Sequence, residues 1–377
     1  MPWQERSTMS ERQEFVILAS QDGANISALA RRYGISRKTA YKWMTRFAQT
    51  GSAGLVDQAR RPATSPIRTS DAMETRILAV RDAHPQWSGR MLHHHLGGAA
   101  AGVPAPSTIT AILRRHGRLD PAETSKHTPV QRFEHPEPND LWQLDFMGHL
   151  PIQSGRVHPL SLLDDHSRFG LALVACACEQ QQLVQTHLIR AFERYGMPRR
   201  ILTDNGPPWG TSGAGGLTAL EVWLLRLGIH VSHGRPAHPQ TQGKVERWHA
   251  TIHAEVFRYQ SPLDLTVCQH HFDTFRDCYN LERPHTALAY ATPASRYQPS
   301  PRPYPGSLPP IEYGPDDLVR KVNAHGIISV HNQRHFVGRG LAGMPVAVRP
   351  TTTDGTLTVH FCHRQVATLI LQTGSTV

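Results

Sequence analysis

The sequence predicts a multidomain protein with all-α units at its N-terminal end, a central α/β domain with a mixed sheet, and a small β-barrel at its C-terminal end. Three observations lead to this prediction. Apolar residues recur at helical spacing before residue 120, short apolar runs alternate with helical runs between residues 140 and 297, and alternating strand-like runs follow residue 316. At 377 residues the chain is also too long for one average domain.

The domain boundaries are expected where glycine, proline and serine accumulate. The predicted order is a helix-turn-helix domain at 1–50, a basic linker at 51–70, a second helical domain at 71–120, a linker at 121–139, an α/β domain at 140–297, a proline-rich linker at 298–315 and a small β-barrel at 316–377. The last linker holds six prolines from Pro299 to Pro310, so we expect a stiff extended spacer. "DG" at Asp354 and Gly355 predicts a type I′ hairpin turn in the β domain.

The charge of the chain is unevenly distributed. The net charge is +10, and residues 1–70 contain eleven basic and five acidic side chains. A basic surplus at one end favours a nucleic-acid partner, because phosphate neutralisation and counterion release supply most non-specific affinity. A basic soluble protein without such a partner is the alternative on charge alone.

Residues 26–47, "ISALARRYGISRKTAYKWMTRF", predict a helix-turn-helix. A short helix capped by Ser27 leads through a turn at Gly34 to a basic helix capped by Ser36. In this motif the N-terminal residues of the second helix face base edges in the major groove. The groove and phosphate candidates are therefore Arg37, Lys38, Thr39 and Lys42. A small helical bundle with a solvated basic face is the alternative.

The next segments extend the predicted DNA-binding region. In the basic linker, Arg60 and Arg61 are candidates for phosphate contacts. Three helical runs after residue 70 predict a second helix-turn-helix or winged unit. It contains three consecutive histidines, His93 to His95, which we interpret as a surface cluster because neighbours at i and i+1 do not share a helix face.

Three acids of the central domain occupy informative positions. Asp145 interrupts an apolar strand, Asp204 follows the strand "RILT", and Glu246 lies on a helix after a glycine. Acids from such elements can converge at one edge of a sheet, where oxygen ligands suit Mg²⁺ or Mn²⁺. Two such ions ~4 Å apart support in-line displacement at phosphorus. Taken singly, each acid has a structural explanation: a strand-edge residue, a turn former and half of an ion pair.

Basic residues flank the third acid. Lys244 and Arg247 are candidates to complement the remaining charge of a bound phosphate. Two further residues near the site, Trp209 and Trp248, suit either stacking on bases or buried packing.

The motifs around the acids resemble a known family. "WQLDFMG", "SLLDDHSRFGLAL", "ILTDNGPPWG", "HPQTQGKVERWHATI" and "YNLERPHTALAYATPASRY" occur in that order, and together they resemble the integrase catalytic core of DDE transposases, most closely the IS481 group. The resemblance implies an RNase H-like fold with Asp145, Asp204 and Glu246 at the catalytic and metal-binding positions. It also implies Mg²⁺ as cofactor, with Mn²⁺ able to substitute and two ions expected with DNA bound, and a homo-oligomer on double-stranded DNA.

The chain departs from the family pattern at one place. Between Asp204 and Glu246 lie 41 residues, more than in many relatives, and the glycine-rich "WGTSGAGG" is expected to absorb the difference as a loop. Asp164 and Asp165 lie near the first acid, but Asp145 alone matches the family's first position. In "YNLERPH" we expect Asn280 and Arg283 to support the fold rather than to act in catalysis.

The remaining features bear on location. The five cysteines form no CxxC pair, so neither a disulfide framework nor a zinc cluster is predicted. No signal-like start and no apolar run of ~18 residues occurs, so secretion and membrane insertion are not expected. A cytoplasmic, nucleoid-associated protein is the expectation.

The predicted function is that of a DNA transposase. It is expected to bind the terminal inverted repeats of an insertion sequence and to catalyse metal-dependent end cleavage and strand transfer into target DNA. Two alternatives remain open: a DNA-binding regulator or domesticated protein without catalysis, and a metal-dependent nuclease that hydrolyses without joining. A regulator or domesticated protein without catalysis should have lost one of the three acids, and this chain retains Asp145, Asp204 and Glu246.

Overall fold

The computed structural model describes residues 8–57, 68–119, 134–210, 216–234, 243–258 and 261–371. The chain divides into two compact units, Met1–Arg68 and Thr69–Val377. Two of the predicted phosphate contacts, Arg60 and Arg61, lie outside the described residues. None of the helices in the described ranges is long and apolar enough to cross a membrane.

The first unit is a small helical domain. It consists of α1 (Thr8–Ala19), α2 (Ile26–Arg32), α3 (Arg37–Thr50) and a 3-10 turn (Gly51–Leu55). Leu55 is buried in the same core as Phe15 and Trp43, so the start of the predicted linker packs with the helices instead of leaving them.

The caps of these helices test the sequence interpretation. Ser36 caps α3 as predicted, since its side chain accepts from the amide of Thr39. The predicted cap of α2 is wrong: Asn25, not Ser27, accepts from the amide of Ala28. Asparagine and serine cap helices about equally well, so propensity alone could not choose between them.

The second unit begins with three helices. These are α4 (Asp71–Ala83), α5 (Gly89–His95) and α6 (Pro106–Arg115). Their core includes Ile77, Trp87 and Leu92, and side chains from later in the chain, Cys278 and Tyr290, pack against it. This helical domain is therefore attached to the end of the central domain.

The central domain contains the predicted mixed sheet. Its strands are β1 (Leu141–Phe146), β2 (Leu150–Ile152), β3 (Gly155–Asp164), β4 (Gly170–Cys176), β5 (Arg200–Thr203) and β6 (His230–His233). β1 to β4 are joined as antiparallel neighbours, with β3 between β1 and β4. β5 pairs parallel to β1, and β6 pairs parallel to β5. The parallel strands therefore lie on the far side of β1 from β3.

Helices cover both faces of this sheet. They are α7 (Gln181–Tyr195), α8 (Ala219–Arg226), α9 (Gly243–Ile252) with a π-helical continuation (His253–Phe257), and α10 (Leu265–Leu281). Residues of β3 alternate between the faces: Leu160 and Leu162 pack with α7 and α8, whereas Val157 and Leu163 pack with α9 and α10. The period of two thus assigns each strand residue to one helical layer.

The C-terminal strands form two sheets in the described residues, not the single closed barrel that was predicted. The strands are β7 (Leu318–Lys321), β8 (Ile327–Val330), β9 (Gln333–Phe336), β10 (Pro345–Pro350), β11 (Thr356–Phe361) and β12 (Arg364–Ile370). Four of them form an antiparallel sheet in the order β12-β11-β10-β7, and β8 pairs with β9 alone.

The type I′ turn also lies elsewhere than predicted. His331 and Asn332 join β8 to β9, and both have positive φ, 47° and 64°, as that turn requires. At the predicted turn only Gly355 has positive φ, 72°, and Asp354 does not. Hence the "DG" pair adopts a different turn.

The proline-rich segment lies against the central domain instead of acting as a free spacer. Tyr304 and Leu308 pack on the core. The guanidinium of Arg302 donates to the carbonyls of Pro198 and Leu227 at 2.6 and 3.1 Å. An extended chain with few amide donors can still be held by side chains, and composition does not reveal this.

Candidate active site

Two of the predicted acids are neighbours on parallel strands. The register of β1 and β5 pairs Gln143 with Leu202, so two residues further on Asp145 lies beside Asp204. Adjacent strands are about 4.8 Å apart, which places both carboxylates within one small region. Burial, and after it the negative charges of Asp204 and Glu246, raise the pKa of Asp145 to about 7. The three acids are therefore close enough to repel one another.

The backbone of Asp204 is held by a half-buried histidine. His233 Nδ1 lies 2.8 Å from the carbonyl oxygen of Asp204, and Nε2 lies 2.9 Å from Glu221 Oε1. The hydrogen bond with Glu221 raises the pKa of His233, which favours the doubly protonated ring that donates to both oxygens. Glu221 is itself 3 % exposed and lies in the first turn of α8. Its carboxylate accepts from the amide of Thr218, the N-cap residue of that helix. The turn after β5 is thus tied to α8.

Glu246 is presented by a helix whose first turn is fastened to β1. The side chain of Gln143, 1 % exposed, donates to Asp165 Oδ1 at 2.8 Å and accepts from the amide of Val245 at 3.2 Å. Lys244 donates to the same Asp165 carboxylate. With Val245 buried, the next residue, Glu246, is exposed. This network sets where the third acid stands relative to β1.

A residue that the sequence analysis missed lies among the acids. His249, one turn after Glu246, places Nε2 2.6 Å from Ser161 Oγ and Nδ1 4.0 Å from Asp145 Oδ2. Ser161 donates its only hydroxyl proton to the carbonyl of Asp145, so the His249 Nε2–H must donate to Ser161. Burial lowers the pKa of His249 to about 4, so the ring is neutral near pH 7. Its spacing of i+3 from Glu246 was the available signal.

The three acids fit a divalent cation. Within the described residues, no lysine or arginine forms an ion pair with Asp145, Asp204 or Glu246. Their oxygens are hard ligands, and the pKa of Asp145 is raised first by burial and then by the negative charges of Asp204 and Glu246. A cation would relieve this repulsion.

The two neighbouring acids have different surroundings. Asp164 accepts from the amides of Asn139 and Ser167 and from the hydroxyl of Ser167, at 2.7, 2.8 and 2.6 Å. Asp165 accepts from Gln143, Lys244 and the amide of His135. Both carboxylates are thus occupied by donors of the protein and serve the fold.

The predicted phosphate contacts near Glu246 differ in exposure. Lys244 is only 17 % exposed and is bonded to Asp165. Arg247 is exposed beside Glu246. In this conformation Arg247 is therefore the side chain that a phosphate can reach, whereas Lys244 has a structural partner.

The candidates on α3 are exposed with one exception. Arg37, Lys38 and Lys42 are solvent-exposed, and the Lys42 ammonium lies 4.6 Å from the ring centroid of Trp43. Thr39 is half-buried, and its hydroxyl is 2.9 Å from Ser36 Oγ in the helix cap. The exposed positive row on α3 consists of three cations.

The other residues singled out from the sequence pack inside the protein. Trp209 and Trp248 are 2 % and 1 % exposed, which favours packing over base stacking. Asn280 bonds both backbone groups of Gly170, and Arg283 pairs with Glu255. Asn280 and Arg283 thus support the fold, as expected.

Models of protein families match the chain along most of its length. They describe a helix-turn-helix domain at residues 11–63, a homeodomain-like domain at 39–113, integrase core domains at 135–239 and 227–293, and the C-terminal domain of IS481 family transposases at 317–376.

Two of the sequence relatives are proteins of insertion elements. An uncharacterized 39.2 kDa protein of insertion element IS476 from Xanthomonas euvesicatoria is 22% identical over 275 residues, 72% of this chain and 78% of that protein. An uncharacterized 31.7 kDa protein of insertion element IS407 from Burkholderia multivorans is 25% identical over 157 residues, 42% of this chain and 54% of that protein.

Solved structures with a similar chain are viral integrases. A chain of the simian T-cell lymphotropic virus intasome is 17% identical with a TM-score of 0.38, covering 74% of this chain and 98% of that one. The HTLV-2 integrase catalytic core in complex with magnesium is 18% identical with a TM-score of 0.34, covering 43% and 97%.

The helix-turn-helix matches and the integrase core, together with the mixed sheet and its acids, define the chain as a DNA-binding protein of the integrase-core class. Within that class, the match to the C-terminal domain of IS481 family transposases and the insertion-element relatives support an IS481-like transposase.

Proposed function

We propose that this transposase cuts and joins DNA at a single site formed by Asp145, Asp204 and Glu246. The observation that supports this most strongly is the uncompensated negative charge at the sheet edge, where burial and two neighbouring carboxylates raise the pKa of Asp145 to about 7. Repulsion between carboxylates destabilises the folded state, and a bound cation would offset it. The arrangement therefore favours a cation-binding site.

The three carboxylates would hold Mg²⁺, with Mn²⁺ able to substitute and two ions expected with DNA bound. When bound, such ions supply activation of the attacking oxygen and stabilisation of the leaving oxygen. Because the reactions are phosphoryl transfers without a covalent enzyme intermediate, no nucleophilic serine, tyrosine or cysteine is needed.

Other residues of the chain bind and orient. His233 keeps the Asp204 turn in place, and Gln143 keeps the first turn of α9 on β1. Arg247 is exposed beside Glu246, where it would contact a phosphate of the DNA. On α3, Arg37, Lys38 and Lys42 would contact the terminal inverted repeats.

The proposed DNA substrate determines the expected oligomeric state and the expected location in the cell. Both ends of an element must be held together for joining, so we expect a homo-oligomer on double-stranded DNA. Its substrate is the chromosome, which implies association with the nucleoid. The proposed reaction is nicking of the ends followed by joining of the new 3′ hydroxyls to target DNA.

A strand-transfer assay tests the proposal. A labelled pre-cut element end is incubated with a plasmid target, Mg²⁺ and either the wild type, Glu246→Gln or the control Glu193→Gln, which removes an exposed acid of α7. We expect joined product with the wild type and the control, and end binding alone with Glu246→Gln. Hydrolysis without joining by the wild type would indicate the nuclease, and binding alone would indicate the regulator.

A further inference from the structure

A second group of metal-ligand side chains lies away from the acids, where the second helical domain meets the central domain. His84 is the C-cap residue directly after α4. Cys278 lies in the last turn of α10, and Glu282 is the C-cap residue directly after α10. One potential ligand atom from each lies within 4.8 Å of the other two. Cys278 Sγ is 3.8 Å from His84 Nδ1.

We propose that His84, Cys278 and Glu282 bind a thiophilic divalent cation, Zn²⁺ by preference, which fastens the second helical domain to the last helix of the catalytic domain. Thiolate, imidazole and carboxylate are the ligands that Zn²⁺ takes in tetrahedral sites. With bonds of about 2.0–2.3 Å, two ligand atoms of a tetrahedron lie roughly 3.3–3.8 Å apart, and the His84–Cys278 distance falls at the upper end of that range.

The imidazole is held in one orientation. The ring of His84 stacks on Trp87 with centroids 3.9 Å apart and an interplanar angle of 9°, and Trp87 is fully buried. Burial lowers the pKa of His84, which leaves the ring in the neutral form that binds metals. A fixed neutral imidazole reduces the entropy lost on binding.

The sulfur distinguishes this cation from that of the active site. Mg²⁺ prefers oxygen ligands and binds thiolates poorly, whereas Zn²⁺ and Co²⁺ bind them well. Without an ion, burial raises the pKa of the Cys278 thiol to about 12, and the charges of Glu282 and Glu255 act in the same direction. The nearby cation Arg283 pairs with Glu255, so a bound divalent ion would supply the positive charge that a thiolate needs.

The position gives the ion a mechanical role. Cys278 and Tyr290 pack against the core of the second helical domain, and the ring of His94 stacks on Tyr290 at 4.1 Å. His95 Nδ1 lies 3.4 Å from the carbonyl oxygen of Glu282. An ion joining α4 to α10 would lock this contact, so that the second DNA-binding domain keeps one orientation to the catalytic domain.

Cobalt titration of the full chain tests the site. The protein is stripped of metal with a chelator, which is then removed, and Co²⁺ is added with excess Mg²⁺ present to occupy the acid site. We expect a thiolate-to-cobalt charge-transfer absorption that saturates at one ion per chain and disappears on addition of Zn²⁺. Cys278→Ser should abolish it, and the control Cys178→Ser, half-buried elsewhere in the central domain, should retain it.

Two further variants separate loss of binding from loss of folding. His84→Gln and Glu282→Gln should weaken Co²⁺ binding by more than the roughly tenfold that removal of an outer-shell partner costs. Because Glu282 is exposed, its variant should fold normally. Zn²⁺ should raise the melting temperature of the wild type and not that of folded variants.

Other results would overturn the proposal. They are the absence of the absorption in the wild type, its persistence in Cys278→Ser, or unchanged affinity in Glu282→Gln. None of these results depends on strand transfer, so failure of this site and failure of the proposed catalytic function are distinguishable.

Discussion

Asp164 and Asp145 lie on adjacent strands of one sheet, in surroundings of opposite kind. Asp164 on β3 is fully buried and accepts three hydrogen bonds from Asn139 and Ser167. Asp145 on β1 faces the charges of Asp204 and Glu246. Burial is the largest cause that raises the pKa of both carboxyls. At Asp164 three hydrogen bonds oppose the rise and only the charge of Asp165 adds to it. At Asp145 the charges of Asp204 and Glu246 add to the rise, and one backbone hydrogen bond, from Phe146, opposes it.

The difference separates an acid that serves the fold from one that we propose as a metal ligand. A carboxylate that accepts three of the roughly four hydrogen bonds it can take is held in one place and has little ligand capacity left. A carboxylate that repels neighbouring carboxylates destabilises the fold until a cation binds, as is expected of a metal ligand before its ion is bound. The two kinds of acid should therefore respond in opposite ways to substitution.

Replacing Asp145 should have the largest effect on activity. Asp145→Asn removes a proposed metal ligand, and we expect strand transfer to fall on the order of 10³-fold or more while end binding is retained. The measurement is joined product from a pre-cut end, with binding followed on the same end by gel shift. Retention of strand transfer near the wild-type rate would remove Asp145 from the site.

The same variant should be more stable than the wild type when no metal is present. The folded pKa of Asp145, about 7, lies above the ordinary aspartate value of 3.8, so the folded state holds the proton more tightly. The wild type therefore loses stability as the pH rises from about 4 to about 7. A shift of this size corresponds to at most ~4 kcal/mol. Asp145→Asn should lose this dependence and unfold at a higher temperature at pH 8 in chelator. An equal pH dependence in both proteins would contradict the repulsion.

Replacing Asp164 should lower the stability of the fold instead of the activity. Asp164→Ala leaves three buried donors without an acceptor, and we expect a loss of about 3 kcal/mol in the free energy of unfolding. Urea denaturation measures this loss, with Asp277→Asn on α10 as an exposed acid for comparison. Strand transfer per folded molecule should change little, whereas a selective loss of catalysis would place Asp164 among the metal ligands.

The residues that position Asp204 should have an intermediate effect. Glu221→Gln weakens the bond that holds His233, and we expect strand transfer to fall about 10–100-fold, the range found for partners behind a metal ligand. A positioning role predicts that a higher Mg²⁺ concentration restores part of the activity. Failure of Mg²⁺ to restore any activity in the folded variant would argue against it.

The extent to which these features could be predicted differs with the distance between the residues involved. The cap at Ser36 depends on contacts within one turn of helix and was predicted correctly. The mixed sheet followed from the order of strand and helix patterns, and it is confirmed. The convergence of the acids was inferred from one acid inside a strand, one at the end of a strand and one on a nearby helix, and the register of β1 and β5 places the first two side by side.

What the sequence did not reveal depends on distant contacts. The pairing of His249 with Ser161 spans 88 residues, and that of His84 with Cys278 spans 194. Cysteine spacing suggested no metal site because it is informative only for ligands close in the chain. The packing of Arg302 on carbonyls 75 and 104 residues away escaped prediction for the same reason.

The first unit offers the smallest and most specific effect, because the DNA contacts that we propose for it are exposed cations whose contributions should be additive. Arg37→Ala and Lys38→Ala should each reduce the slope of log binding constant against log salt by about 0.9 if the side chain neutralises one phosphate. Arg194→Ala, which removes an exposed cation of α7, is the matched control and should leave the slope unchanged. Binding is measured on a labelled element end over a range of salt concentrations. A variant with weakened binding at every salt concentration and an unaltered slope would indicate a base contact rather than a phosphate contact, since base contacts carry no counterion release.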